Sequence, residues 1–471
     1  MSNKDSRRLI AVSNRLPIVV KEEDGRWQLA AGAGGLVTAL SPVLKRHRGM
    51  WIGWPGCDEA APLEELVARF AEQEGYRLGT VPLTQEEVED YYEGFSNMTL
   101  WPLFHDLLGL CQFNAQHWRA YVEVNRRFAE VTAKKIARED LVWVQDYQLM
   151  LMGGRLRELG VKNPLAFFLH IPFPSLDLFR RLPWKMEILR GLLEFDLVGF
   201  QTLRDRRNFV ACARELIPGL RAEVHRRTTV LRDEERAVRV GHFPISIDFG
   251  EFNNQARGRE VADAAWYLHE KFANRQLLLG VDRLDYTKGI PERLLAFERA
   301  LELYPELHGK LSLLQIVVPS RTQVPEYQSL KEQLDQLAGR INGRFGEPGW
   351  IPIHYMFRSL DRVQLLAHYR AAEIALITPL RDGMNLVAKE YCAASVDNNG
   401  VLILSEFAGA AEELGKGALL VNPYDLDGTA EAIRRAYTME QGERQRRMRM
   451  LRASIQRNNV HRWVDYFVNS L

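Results

Sequence analysis

Cations, carboxylates, an imidazole and glycine-flanked backbone amides recur in this sequence at places where they could act on one ligand. The densest stretch is Thr378-Pro-Leu-Arg-Asp-Gly-Met-Asn-Leu-Val-Ala-Lys-Glu390. It reads as buried strand, tight loop and helix start, because 372–380 is an almost unbroken apolar run and good helix formers follow Leu386. The N–H groups of Asn385, Leu386 and Val387 would face an anion there, favoured by the helix dipole, and Gly383 would let a ligand come close. Glu390, one turn beyond Leu386, would accept hydrogen bonds from a vicinal diol. A phosphate beside a diol describes a nucleotide ribose. The competing reading makes Asp382 a plain helix cap and leaves Glu390 solvated, and on this stretch alone both stay open.

Similar punctuation occurs elsewhere. Arg283 and Lys288 flank a turn containing Asp285 and Gly289, so a fork and a point charge would both reach a diphosphate; the alternative is an ion network with Asp282, Asp285 and Glu292. Arg321 follows the apolar run 311–319, and Arg15 follows 9–13, each a cation at a strand's carboxyl end, where open parallel sheets bind ligands. Asp146 and His170 follow the runs 141–144 and 165–169. Either alone reads as structural, but polar groups at successive strand ends point to a shared cleft. Gly32-Ala-Gly-Gly-Leu36 lacks the spacing of a dinucleotide fingerprint and reads as a flexible loop approaching phosphate. Trp51, Trp54, Tyr91, Tyr92, Phe95, Trp101 and Phe104 crowd segments broken by glycine and proline, which suits a sugar site as well as a core.

The elements that must position these groups follow from length and rhythm. With 471 residues, 46% of them hydrophobic, the chain needs two large cores rather than one. Strand, loop and helix alternate in both halves, which predicts an α/β protein of two Rossmann-like doubly wound domains facing a cleft: a first domain over 1–244, a second over 245–455, and a terminal helix over 456–471 packing back on the first through Trp463, Tyr466 and Phe467. His242-Phe-Pro-Ile-Ser-Ile-Asp248 is the exit, stiffened by Pro244, and 221–239 reads as an irregular surface hairpin. A net charge of +1 gives no sequence-wide attraction to nucleic acid or to an anionic membrane. No apolar run is long enough to span a bilayer, and Cys57, Cys111, Cys212 and Cys392 form no metal-ligand pair, so a cytoplasmic protein with no metal and no cofactor is expected. Asp425-Leu-Asp-Gly-Thr429 imitates a phosphatase or metal motif, but too little chain follows for a phosphatase domain, so it reads as a strand end capping a helix.

Together these segments resemble the trehalose-6-phosphate synthases, retaining glycosyltransferases of the two-Rossmann GT-B architecture. The resemblance runs nearly end to end, through Ser13-Asn-Arg15, Gly34-Gly-Leu36, Trp51-x-Gly-Trp54, Tyr91-Tyr92, Phe95-Ser-Asn97, Leu100-Trp-Pro102, Asp146-Tyr147, Phe167-Phe-Leu-His-Ile-Pro-Phe-Pro174, Arg283-Leu-Asp-Tyr-x-Lys-Gly289 and 381–390. It implies that Gly34 and Gly35 close over the donor, that Arg283 and Lys288 hold a nucleoside diphosphate, and that Glu390 holds the ribose. Asp382 and His170 would contact the transferred glucose, and Asn385, Leu386 and Val387 would add backbone contacts. Arg15, Tyr92, Trp101 and Arg321 would hold glucose 6-phosphate, with Asp146 positioning its reacting sugar. Where many members read His-Asp-Tyr-His, this chain has Gln145-Asp-Tyr-Gln148, neither glutamine able to carry charge. No phosphatase domain follows, so the product is expected to leave phosphorylated.

The implied reaction moves glucose from a nucleoside diphosphate glucose, of which UDP-glucose is the expected form, to glucose 6-phosphate with retention. The resemblance supplies no carboxylate nucleophile of the kind double displacement needs, so a front-face route is favoured in which the departing phosphate takes the acceptor's proton. A related transferase using glycerol 3-phosphate, a pseudo-glycosidic coupling enzyme and a catalytically silent sugar-phosphate sensor remain as alternatives, and a homo-oligomer is left open.

Overall fold

The computed structural model describes residues 7–471 except 24–25, 33–34, 57–62, 226–227, 235, 273–274 and 322–323. It divides into two compact units, the first reaching Ile245 and taking in His461–Leu471, the second spanning Ser246–Val460.

In the first unit the strands are β1 (Leu9–Arg15), β2 (Ile18–Glu23), β3 (Arg26–Ala31), β4 (Met50–Trp54), β5 (Arg77–Thr80), β6 (Leu141–Gln145), β7 (Leu165–Phe168), β8 (Leu197–Phe200), β9 (Arg221–Val224), β10 (Thr228–Arg232) and β11 (Ala237–His242). Nine of them form one sheet in the order β5-β4-β1-β6-β7-β8-β11-β10-β9, while β2 and β3 pair separately. The central strands are buried on both faces, as their unbroken apolar runs require. Neighbours from β5 to β11 are parallel, and β10 and β9 add antiparallel edges. The segment 221–239 is therefore not an irregular hairpin. Alternation such as exposed Ala237 and Arg239 with buried Val238 and Val240 lets it extend the sheet with one covered face.

The second unit carries β12 (Gln276–Arg283), β13 (Leu311–Val318), β14 (Ile353–Phe357), β15 (Ile374–Ile377), β16 (Val401–Ser405) and β17 (Leu419–Val421), all parallel, in the order β14-β13-β12-β15-β16-β17. Both sheets are doubly wound. The strand order reverses between β1 and β6 in the first unit and between β12 and β15 in the second. Loops leaving the two strands at such a point turn to opposite faces and open a crevice at the carboxyl edge.

The chain returns to the first unit between two helices, Gln441–Arg457 and Val460–Val468, rather than within one terminal helix from 456. Asn458 breaks the helical path, and the Val460 N–H is tied to the Ile247 carbonyl at 3.0 Å. The last helix packs by its aromatic face: Phe467 stacks on Trp143 with centroids 4.3 Å apart, and Trp463 Nε1 donates to the Phe243 carbonyl at 3.0 Å. Among the described residues no helix is long and apolar enough to cross a membrane.

One local feature has no counterpart in the sequence pattern. Val88–Leu100 is a π-helix of 13 residues, continued by Trp101, whose N–H reaches back to the Ser96 carbonyl. Its wider winding places the backbone hydrogen bonds between residues five apart rather than four. A capping box of Thr84 and Glu87 starts this segment.

Candidate active site

The reversal between β12 and β15 gathers the second unit's chemistry. Arg283 ends β12, exposed, and the turn Tyr286–Lys288 follows, with Asp285 capping it by accepting from the Thr287 N–H at 3.0 Å. Gly289 then adopts φ +60, and a Cβ there would lie 2.3 Å from the Thr378 carbonyl oxygen, so only glycine lets this turn pass the end of β15. The Leu380 N–H bonds the Thr287 carbonyl at 2.8 Å and joins the two loops. Across that junction Lys288 Nζ donates to Asp382 Oδ2 at 2.6 Å, with both side chains largely covered.

Asp382 is thus an ion-pair partner and not the helix cap. The cap of helix Leu386–Ala394 is Asn385, at φ +83, whose Oδ1 accepts the Ala388 N–H at 3.1 Å. The N–H groups of Leu386 and Val387 stand just before that bond, in the first turn, where a helix has no acceptors of its own. Glu390 is half-buried on the same helix and accepts from the Tyr369 hydroxyl at 2.9 Å. Burial raises the Glu390 pKa, with the Tyr369 hydrogen bond and Arg362 opposing.

Beneath these loops lies a charge that the ligand-site reading overlooked. Arg293 is fully buried and pairs with Asp282 at 2.6 Å while donating to Thr378 Oγ1 at 3.1 Å, Gln315 Oε1 at 3.2 Å and the Lys288 carbonyl at 3.4 Å. Asp282 therefore serves Arg293, not Arg283. A signal was present: Arg293 falls on the apolar helix face of Ile290, Leu294 and Phe297, where an arginine must find buried partners. Arg321, at φ +47, donates to the Tyr327 hydroxyl at 2.6 Å and stands 3.9 Å from Asp285. Burial would raise the Asp285 pKa, but Arg321, Lys288 and Arg283 outweigh it and hold the carboxyl low.

In the first unit the reversal lies between β1 and β6, with Arg15 at the end of one and Asp146 just beyond the other. The Arg15 guanidinium lies 4.9 Å from the Trp54 ring centroid and is exposed. Asn14 is held from behind by the Tyr91 hydroxyl at 2.9 Å, and Ser13 by Trp51 Nε1 at 2.7 Å. Asp146 sits at φ +72, and its Oδ1 accepts the His170 backbone N–H at 3.1 Å. Asp146, Arg321 and Asn385 are three of the six non-glycine residues with positive φ among those described, so backbone strain is stored in three of these strand-end loops.

His170 follows β7, half-buried, between Gln145 Oε1 at 2.9 Å and Gln201 Nε2 at 3.4 Å, and burial pushes its pKa down to about 3. Tyr92 and Asn97 lie on the π-helix, and Trp101 directly follows it. Trp101 lies 5.6 Å from Tyr147, whose hydroxyl donates to Asn97 Oδ1 at 2.8 Å. Gly34 lies outside the described residues, and Gly35 begins helix Gly35–Arg46. Asp425 caps its helix by accepting from the Gly428 N–H at 2.9 Å, and Asp427 is bound by Arg299.

The model of the family described as Glycosyltransferase family 20 matches residues 7–471. A trehalose-6-phosphate synthase of Mycolicibacterium vanbaalenii is 45% identical, with 98% of this chain and 95% of that protein aligned. A UDP-forming α,α-trehalose-phosphate synthase of Burkholderia xenovorans, solved in complex with glucose 6-phosphate, superposes with a TM-score of 0.88 at 38% identity over 98% of this chain and 99% of that one. An E. coli structure bound with UDP-2-fluoro glucose gives a TM-score of 0.87 at 38% identity over 98% of both chains. With the cations, carboxylates and strained loops gathered at both strand-order reversals, and a match over nearly its whole length, this chain belongs to glycosyltransferase family 20.

Proposed function

We propose that this chain is a UDP-forming glucosyltransferase that moves glucose from UDP-glucose to the anomeric hydroxyl of glucose 6-phosphate, giving trehalose 6-phosphate and UDP. The observation that carries the reading is the second unit's crevice, where Arg283, Lys288 and the start of helix Leu386–Ala394 supply positive charge beside the acceptor oxygens of Glu390. That is the complement of a diphosphate joined to a ribose. Family membership and the ligands in the two related structures support the same pair of substrates.

In this reading Arg283 and Lys288 bind the diphosphate, Asn385, Leu386 and Val387 add backbone N–H groups, Glu390 takes the ribose diol, and Gly34 and Gly35 close over the donor. Arg15, Tyr92, Trp101 and Arg321 hold glucose 6-phosphate, and Asp146 orients its reacting hydroxyl. His170 and Asp382 touch the transferred glucose. As the glycosidic bond breaks, charge grows on the leaving phosphate. The two cations and the helix start stabilise it, and that phosphate accepts the acceptor's proton on the same face. Asp382 serves a second purpose: by pairing with Lys288 it fixes where that ammonium points. Cys212 and Cys392 are buried free thiols, in keeping with a reducing cytoplasm.

The test is a product assay crossing UDP-, GDP- and ADP-glucose with glucose 6-phosphate and glycerol 3-phosphate. Trehalose 6-phosphate from glucose 6-phosphate is the expected product. A glucosylated glycerol phosphate in its place would overturn the acceptor assignment.

A further inference from the structure

The surroundings of His170 settle the form of its ring, starting from a backbone group whose polarity is fixed. The Ile245 N–H donates to Gln201 Oε1 at 2.9 Å. That bond leaves the Gln201 amide nitrogen, which only donates, directed at His170 Nδ1 at 3.4 Å. Nδ1 must then carry a lone pair, and the ring proton sits on Nε2, where Gln145 Oε1 receives it at 2.9 Å. The Gln145 amide is turned the matching way, its Nε2 lying 3.5 Å from the Trp143 carbonyl. Both glutamines thus agree on one tautomer, and a proton on Nδ1 would meet an N–H donor head-on.

Among the described residues, two aromatic rings and one carboxylate that is already engaged also lie around the ring. Phe168 lies 4.7 Å and Trp463 6.4 Å from the ring by centroids, and the nearby carboxylate, Asp146, is engaged with the His170 backbone N–H. We infer that Gln145 and Gln201 are positioning residues that hold His170 neutral, with the proton on Nε2, so that the ring meets the transferred sugar without charge. Burial lowers the imidazole pKa in the same direction. The consequence for the reaction rests on the glucosyltransferase reading: the anomeric centre gains positive charge as the bond to phosphate breaks, and an imidazolium beside it would oppose that step. The replacement of a histidine by Gln145 in the His-Asp-Tyr-His pattern then substitutes a partner that cannot itself titrate.

The experiment uses the full chain with ¹⁵N-labelled histidine. Two-bond ¹H–¹⁵N spectra report the protonation of each ring nitrogen, and His170→Asn identifies the signal among the 11 histidines. In the parent protein His170 is expected as the neutral Nε2–H tautomer, unchanged from pH 8 to pH 5. Gln201→Glu keeps the shape and an acceptor for the Ile245 N–H but turns an acceptor toward Nδ1. A proton should then appear on Nδ1, with kcat falling about ten- to a hundredfold and the KM for glucose 6-phosphate moving far less. Gln145→Leu removes the Nε2 acceptor but leaves the Gln201 donor, so the proton should stay on Nε2 with a shifted Nε2–H signal, and a proton found on Nδ1 in that variant would count against Gln201 as the residue that sets the tautomer. A parent His170 that carries its proton on Nδ1, or titrates near the ordinary histidine value, would overturn the inference; so would a Gln201→Glu variant with parental spectrum and turnover. If the parent makes no trehalose 6-phosphate, the functional reading fails, and the ring spectrum still decides the clamp.

Discussion

Removing the Arg293 guanidinium while keeping the bulk of the side chain, as in Arg293→Met, should strip the floor from the proposed diphosphate site. Arg293 and Asp282 are 0% and 3% exposed, and the pair is closed by a 2.6 Å contact. Burial already raises the Asp282 pKa, and Arg293 is the largest influence pulling it back. Without that partner Asp282 is either an isolated buried charge or a protonated carboxyl, and Gln315 Oε1 and Thr378 Oγ1 each lose a donor. Breaking one side of a buried pair costs about 3–5 kcal/mol. In a unit of roughly 200 residues, each kcal/mol corresponds to about 2–4 °C, so the unfolding transition of the second unit should fall by about 6–20 °C. The same change frees the Lys288 carbonyl, so UDP affinity measured by calorimetry below the transition should weaken as well. Arg293→Met combined with Asp282→Leu removes the orphaned charge and should recover at least half of the lost stability. An Arg293→Met protein melting within 2 °C of the parent, or a double variant whose losses simply add, would refute the claim that this pair is a coupled buried unit.

Four further outcomes are expected. Arg15→Ala should cost about ten- to a hundredfold in kcat/KM for glucose 6-phosphate and leave UDP binding unchanged, whereas Arg283→Ala should weaken UDP binding; steady-state kinetics and calorimetry separate them, and loss of UDP binding in Arg15→Ala would contradict the assignment. His170 has a folded pKa of about 3, below its unfolded value near 6.5, so the unfolded chain binds the extra proton between those values. Its contribution to stability is complete above about pH 6.5 and is lost toward pH 3 at up to about 1.4 kcal/mol per pH unit, and His170→Asn should flatten denaturant-measured stability across that window. Glu390→Gln should lower UDP affinity about tenfold and erase the preference for UDP over 2′-deoxy-UDP, and a preserved preference would place the ribose elsewhere. EDTA should leave turnover intact, because in the proposed mechanism Arg283 and Lys288 supply the charge, and Asp425 and Asp427 are committed to a helix cap and to Arg299; loss of activity restored by magnesium would contradict this.

Much of this protein was legible in the chain because parallel strands and their loops have local signatures. Apolar runs such as 9–13, 141–144 and 311–319 became buried strands, and the polar residue after each became a strand-end group. Family membership was readable for the same reason, since its motifs are short segments at those ends. The antiparallel edge at 221–239 was missed because charged residues on its exposed face mask an alternation that becomes plain only once one face is covered. The π-helix at Val88–Leu100 had no signal, because winding by fives depends on the tertiary packing of Tyr91, Phe95 and Leu100 rather than on residue preference.

What the sequence by itself determined is which groups stand at strand ends: Arg15, Asp146, His170, Arg283, Arg321 and the loop before Glu390. Which partner each group takes was decided only in three dimensions. Lys288 and Asp382 are 94 residues apart, Glu390 and Tyr369 are 21 apart, and Gln201 reaches His170 across 31. Such pairings depend on strand order, and strand order follows from how whole sheets bury their apolar faces, a sum over many distant contacts that no local pattern encodes. The ring state of His170 depends on a single N–H, that of Ile245, arriving beside Gln201. Short-range residue preferences suffice to make a strand end; long-range packing determines the hydrogen bonds and charges that surround it.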